Sequence, residues 1–144
     1  MSYNPLPTIS LSSKSVMTNY TNASVITAIP QAMAVSTNSS GLIIPLDVSN
    51  QSNYSNFVGY ANSRLPASST GSIISNGRLL NYTTILPVGT PLYIGTDGGP
   101  TNIVPSIGVN GFESGFAVFF MGVIVANEIS GTDIALATQL IGVL

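Results

Sequence analysis

From Val16 onward the chain is cut into short apolar runs by Gly, Pro, Asn and Ser: SVIT (24–27), AMAV (32–35), LIIPLDV (42–48), FVGYA (57–61), SIIS (72–75), GRLL (77–80), TPLYIG (90–95), FAVFFMGVIVA (116–126) and DIALATQLIGVL (133–144). Runs this short, bounded by turn formers, leave little room for helices and fit strands. Val, Ile, Thr, Tyr and Phe dominate them, the side chains that pack well on a pleated surface. The last run partly fits a helical face through Ile134, Leu136, Ala137 and Leu140, but strand is the preferred reading. The expected fold is therefore all-β, a small β-barrel or β-sandwich of short antiparallel strands. At 144 residues the chain has the length of one domain. Residues 16–144 are read as a single β-domain. Residues 1–15 carry Pro5, Pro7 and a Ser-rich run with no apolar period running through them. They are read as an extended N-terminal arm with little apolar surface of its own to bury.

Charge is the next constraint. Lys14, Arg64, Arg78, Asp47, Asp97, Glu113, Glu128 and Asp133 make up only 6% of the chain, against about 25% in ordinary domains. Such a surface must be covered by Ser, Thr and Asn or buried against partners. A net charge of −2 with three scattered bases cannot neutralise a run of phosphates, so no nucleic-acid partner is expected. Without Cys or His the chain has no thiolate, no imidazole base and neither usual zinc ligand. Its five acids lie apart in sequence, so neither catalysis nor a cofactor or metal is expected. MSYNPLPTISLSSKS shows no basic stretch followed by an apolar one, and no secretory leader is expected. FAVFFMGVIVA is short of the about 20 residues of a spanning helix, so no membrane partner is expected either.

Several segments are candidates for contact or ligand binding. FAVFFMGVIVA is apolar in both parities, with Phe116, Val118, Phe120 and Ile124 on one side and Phe119, Met121, Val123 and Val125 on the other. A strand of that kind is covered on both faces, as a central strand or at a subunit interface. Gly122 marks a bulge or a close backbone approach. Phe116, Val118, Phe119 and Phe120 are the interface candidates here, joined by Tyr54 from the polar, aromatic loop SNYSNF (52–57). TDGGPTN (96–102) raises the question of a cation or phosphate loop. It has one carboxylate, Asp97, where a calcium loop needs several, and no Lys of a P-loop. Asp-Gly is instead the signature of a tight hairpin turn. VNGFESG (109–115) and ISGTDI (129–134) are read as turns on the same grounds.

A wider pattern joins these pieces. SVMTNYTNAS opens it, FVGYANSRLPASSTGSIISNGRLLNYTT follows, then PVGTPLYIGTDGGPTNIVPSIGVNGFESGFAVFFMGVIV, and QLIGVL closes it. This order of strands and turns resembles the capsid cement or head-decoration proteins of tailed bacteriophages, with similar modules in head and tail fibres. The resemblance spans about nine tenths of the chain but contains no catalytic motif. It implies a β-domain, often trimeric, seated on a capsid lattice or at an attachment point of the virion. The major capsid protein or another virion protein would be its partner. Alternatives are a head-fibre or tail-associated adaptor, and a carbohydrate-binding β-module suggested by Tyr-bearing, Asn-rich loops. The missing Trp weakens the last.

Overall fold

The computed structural model describes residues 15–144, so the expected arm lies, apart from Ser15, outside the described residues. Ten strands and one short helix follow in chain order: β1 (Val16–Thr21), β2 (Ala34–Thr37), β3 (Ile43–Pro45), α1 (Gln51–Tyr54), β4 (Phe57–Ala61), β5 (Thr70–Asn76), β6 (Arg78–Leu79), β7 (Pro91–Ile94), β8 (Pro100–Thr101), β9 (Ala117–Ala126) and β10 (Thr132–Val143). They form two five-stranded antiparallel sheets, β1-β5-β4-β2-β3 and β6-β10-β9-β7-β8. The fold is all-β, as the runs predict. Among the described residues no helix is long and apolar enough to cross a membrane.

Each half of the chain makes one sheet, and the crossing between them is Gly77. Its φ of +96° suits a residue without Cβ. A Cβ there would lie 2.7 Å from the Ser15 Cα, so the start of β1 packs directly on the crossing. The first sheet is apolar on both faces. Val35, Ile43, Ala61 and Ile73 turn into a small core closed by Ile29 and Leu65, where Asn22 bridges Ile43 and curls the sheet towards a half-barrel. Ala34, Leu46, Tyr60 and Ile74 face the second sheet and meet Leu92, Ile94, Phe119, Met121, Ile124 and Ile134 there. Alternation along these strands thus serves two cores. The Tyr60 hydroxyl shares a 2.7 Å hydrogen bond with the Thr138 hydroxyl across the main core.

Three local readings change. SVIT is not a strand: Asn22 and Ser24 hold its backbone in a turn, the Ser24 Oγ accepting from Thr27 N at 2.8 Å and the Asn22 Nδ2 donating to the Thr27 carbonyl at 2.9 Å. Such local bonds compete with a ladder, and Val25 and Ile26 are left exposed. A strand forms earlier instead, in the half-polar VMTNYT of β1, which pairs with β5 along its whole length. Part of SNYSNF belongs to a single helical turn, because Asn50 caps it by accepting from Ser52 N at 3.0 Å. The final run, by contrast, is the strand preferred for it, paired with β9 as far as Val143.

Candidate interaction surface

The site is built around β9, the central strand of the second sheet, with β10 on one side and β7 on the other. Gly122 sets its geometry. Towards β7 the register passes from Leu92↔Gly122 to Tyr93↔Phe120, which leaves one extra residue on β9. Towards β10 it passes from Leu136↔Gly122 to Gln139↔Phe120, which leaves the extra residue on β10. A Cβ on Gly122 would strike the Ala135 carbonyl, so only glycine fits between the strands here.

The bulge reverses the side-chain parity expected for a regular strand. Phe119, Met121 and Ile124 all enter the inter-sheet core. Val118, Phe120, Val123 and Val125 share the opposite face, with Tyr93 packed edge-on against Phe120 at a ring separation of 5.8 Å. The five interface candidates therefore divide. Val118 and Phe120 lie on the outer face of the sheet. Phe119 is in the core, Tyr54 packs edge-on against it at 5.6 Å, and Phe116 packs against the buried Phe112 at 6.3 Å.

One rim of the outer face is polar. Asp133 is buried and lies opposite Val125. Its Oδ1 accepts from Asn81 N at 2.9 Å and from Asn127 Nδ2 at 3.3 Å, and its Oδ2 lies 3.6 Å from Arg78 Nε. Arg78 also donates to the Ala126 carbonyl at 2.9 Å. These bonds tie β6 to the β9–β10 hairpin and satisfy the buried carboxylate. Beside them a shallow groove runs over the sheet, lined by Gly77, Arg78, Val123, Val125, Ala135 and Ala137.

The loops carry the other exposed apolar groups. Residues 102–116 are rooted by Phe112, which is buried in the main core, and by the Thr96 hydroxyl donating to the Asn110 carbonyl at 3.1 Å. From that fixed root Ile103, Val104, Ile107 and Val109 reach solvent. Ile85 is fully exposed on the β6–β7 loop, and Ile129 is 78% exposed on the β9–β10 loop. Sequence reasoning missed these isolated residues, since a lone Ile between prolines and glycines has no period to betray its direction.

TDGGPTN holds the turn between β7 and β8 together with β8 itself. Gly95 N donates to the Gly99 carbonyl at 2.7 Å, and Asp97 Oδ1 accepts from Gly99 N at 2.9 Å. The carboxylate is thus engaged in shaping its own turn. The turn also docks: Ala34 N donates to the Gly98 carbonyl at 2.8 Å, fastening it to the first sheet. Among the described residues no three acidic side chains lie together as a metal site would need. Around SNYSNF the amides are similarly occupied, Asn53 Oδ1 accepting from Asp47 N at 2.8 Å and Asn56 Nδ2 donating to the Ser52 carbonyl at 2.9 Å. Tyr54 is half-buried, its ring packed against Phe119.

No protein-family model matches the chain, and neither a curated protein sequence nor a solved structure does.

Proposed function

We propose that the chain is a non-enzymatic structural protein of a tailed-bacteriophage virion, a homotrimer that binds the capsid surface and stabilises the head. The major capsid protein, or another virion protein, is its partner. The observation that carries the reading is the set of large apolar side chains held out by well-anchored loops, Ile103, Val104, Ile107 and Val109 foremost, on a chain with 6% charged residues. Full burial of one such side chain is worth about 1.5 to 3 kcal/mol. Several weak, symmetry-related contacts on a repeating lattice add up through effective concentration. Rigid roots keep the ordering cost of those contacts low.

Co-sedimentation with purified capsids tests the proposal. The wild-type protein is expected to pellet with capsids, and the double variant Ile103→Ser/Ile107→Ser to keep its circular dichroism while binding at least about tenfold more weakly. Equal pelleting of the variant would remove this loop from the contact, and no pelleting of the wild type would remove the capsid as partner.

A further inference from the structure

The chain holds two Asn-Gly pairs, Asn76-Gly77 and Asn110-Gly111. In such a pair the glycine amide nitrogen can attack the preceding side-chain amide, because no Cβ on glycine crowds the five-membered ring that forms. The two pairs stand in different surroundings. Asn76 ends β5 and is laddered to Val16, while Gly77 is buried against Ser15 with its carbonyl accepting from Leu136 N at 2.9 Å. Asn110 and Gly111 are both exposed. Among the described residues neither the Asn110 side chain nor Gly111 N makes a hydrogen bond.

We propose that Asn110 is the chain's principal site of spontaneous deamidation, and that the Thr96 hydroxyl sets its rate. Gly111 N gives its proton to solvent base and forms a bond to Asn110 Cγ, and Nδ2 takes up a proton and leaves as ammonia. Water then opens the cyclic imide. Addition at Cγ breaks the N–Cγ bond and leaves ordinary aspartate, whereas addition at the Asn110 backbone carbon breaks the N–C bond and leaves isoaspartate, linked through its side chain. Either way one neutral amide becomes a carboxylate, and the net charge moves from −2 to −3.

The local fold decides how often the ring can close. Phe112 N donates to the Val109 carbonyl at 3.0 Å, and Asn110 and Gly111 have φ of +50° and +83°, which makes residues 109–112 a type I′ turn. Such a turn holds the Asn110 ψ near about +30°, with Gly111 N turned away from Cγ. Attack therefore waits on opening of the turn. Thr96 restrains that opening, since its hydroxyl donates to the Asn110 carbonyl at 3.1 Å and lies over Gly111. Isoaspartate would lengthen the main chain by one atom between Val109 and Phe112, the buried root of the loop, and the turn's closing bond would be lost. The inference does not depend on the virion reading.

Peptide mapping of the full-length protein, aged at mildly alkaline pH in heavy-oxygen water, tests the proposal. The heavy oxygen marks amides lost during ageing. Asn110 is expected to lose its amide at least about tenfold faster than the laddered Asn76, giving both α-linked and iso-linked aspartate. Thr96→Val, which keeps the side-chain shape and removes the hydroxyl, should speed the loss about fivefold, the factor that one hydrogen bond contributes to an opening equilibrium. Thr96→Ser should keep the wild-type rate. Loss at Asn110 no faster than at Asn76 would overturn the site. A product that is α-linked alone would overturn the ring route, because direct hydrolysis of the side-chain amide gives no iso form. Equal rates in the wild type and Thr96→Val would overturn the role of Thr96.

Discussion

At Gly122 the spacing between strands depends on the absence of one methyl group. A Cβ there points at the Ala135 carbonyl of the paired strand, and neither partner is a flexible side-chain tip that could yield. Gly122→Ala is expected to destabilise the protein by about 2 to 3 kcal/mol, measured by urea unfolding. Tyr60 gives a pH dependence. Burial pushes its phenol above its ordinary value near 10, and the hydrogen bond with Thr138 offsets this only in part. Below about pH 10 both folded and unfolded chains keep the proton, and the phenol adds no slope. Above it the unfolded chain ionises first and binds fewer protons, so stability falls with rising pH by up to about 1.4 kcal/mol per unit. Tyr82 is shifted the same way by burial. Unfolding measured from about pH 9 to about pH 11 should show this decline, and Tyr60→Phe should flatten most of it while losing about 1 kcal/mol at neutral pH. The special role of Gly122 was legible in the sequence, as a glycine inside an apolar strand. The parity reversal it causes was not, because a bulge changes which residues face the core only once the neighbouring strands set the register.

Among the elements, the apolar runs located most strands because packing decides those. Where packing is weak, local hydrogen bonds decide, and there the readings changed. Asn22 and Ser24 convert SVIT into a turn, Asn50 caps α1, and VMTNYT becomes a strand through its ladder to β5 rather than through its own hydrophobicity. The β7–β8 turn was legible from Asp-Gly, yet its docking on the first sheet was not, since nothing local in Gly98 announces a bond to Ala34. Gly98 has a φ of +87°, and a Cβ on it would lie 3.1 Å from the Leu46 carbonyl. Gly98→Ala is accordingly expected to cost about 1 to 2 kcal/mol. A thermal melt should register this as a fall of about 2 to 8 °C, where a turn free in solvent would show less. The candidate surface was half legible for the same reason. Val118 and Phe120 carry the outer face, whereas Phe116, Phe119 and Tyr54 serve the core, a division that depends on sheet order and on the bulge.

Across the whole molecule, two sheets share a core and the chain crosses between them at Gly77, where Ser15 packs and beside which the groove lies. The second sheet presents an apolar outer face, and its loops hold aliphatic side chains in solvent on a nearly uncharged chain. Those features favour contacts that neither steer by charge nor weaken greatly with salt, which suits attachment to a preformed lattice. The low charge was readable from composition alone; the positions of the exposed groups required the fold. Immunogold electron microscopy of purified virus particles, with an antibody raised against this chain, tests the decoration reading most directly. Label spread over the head is the expected result. Label confined to the tail or to a single vertex, or absent from the particle, would contradict it.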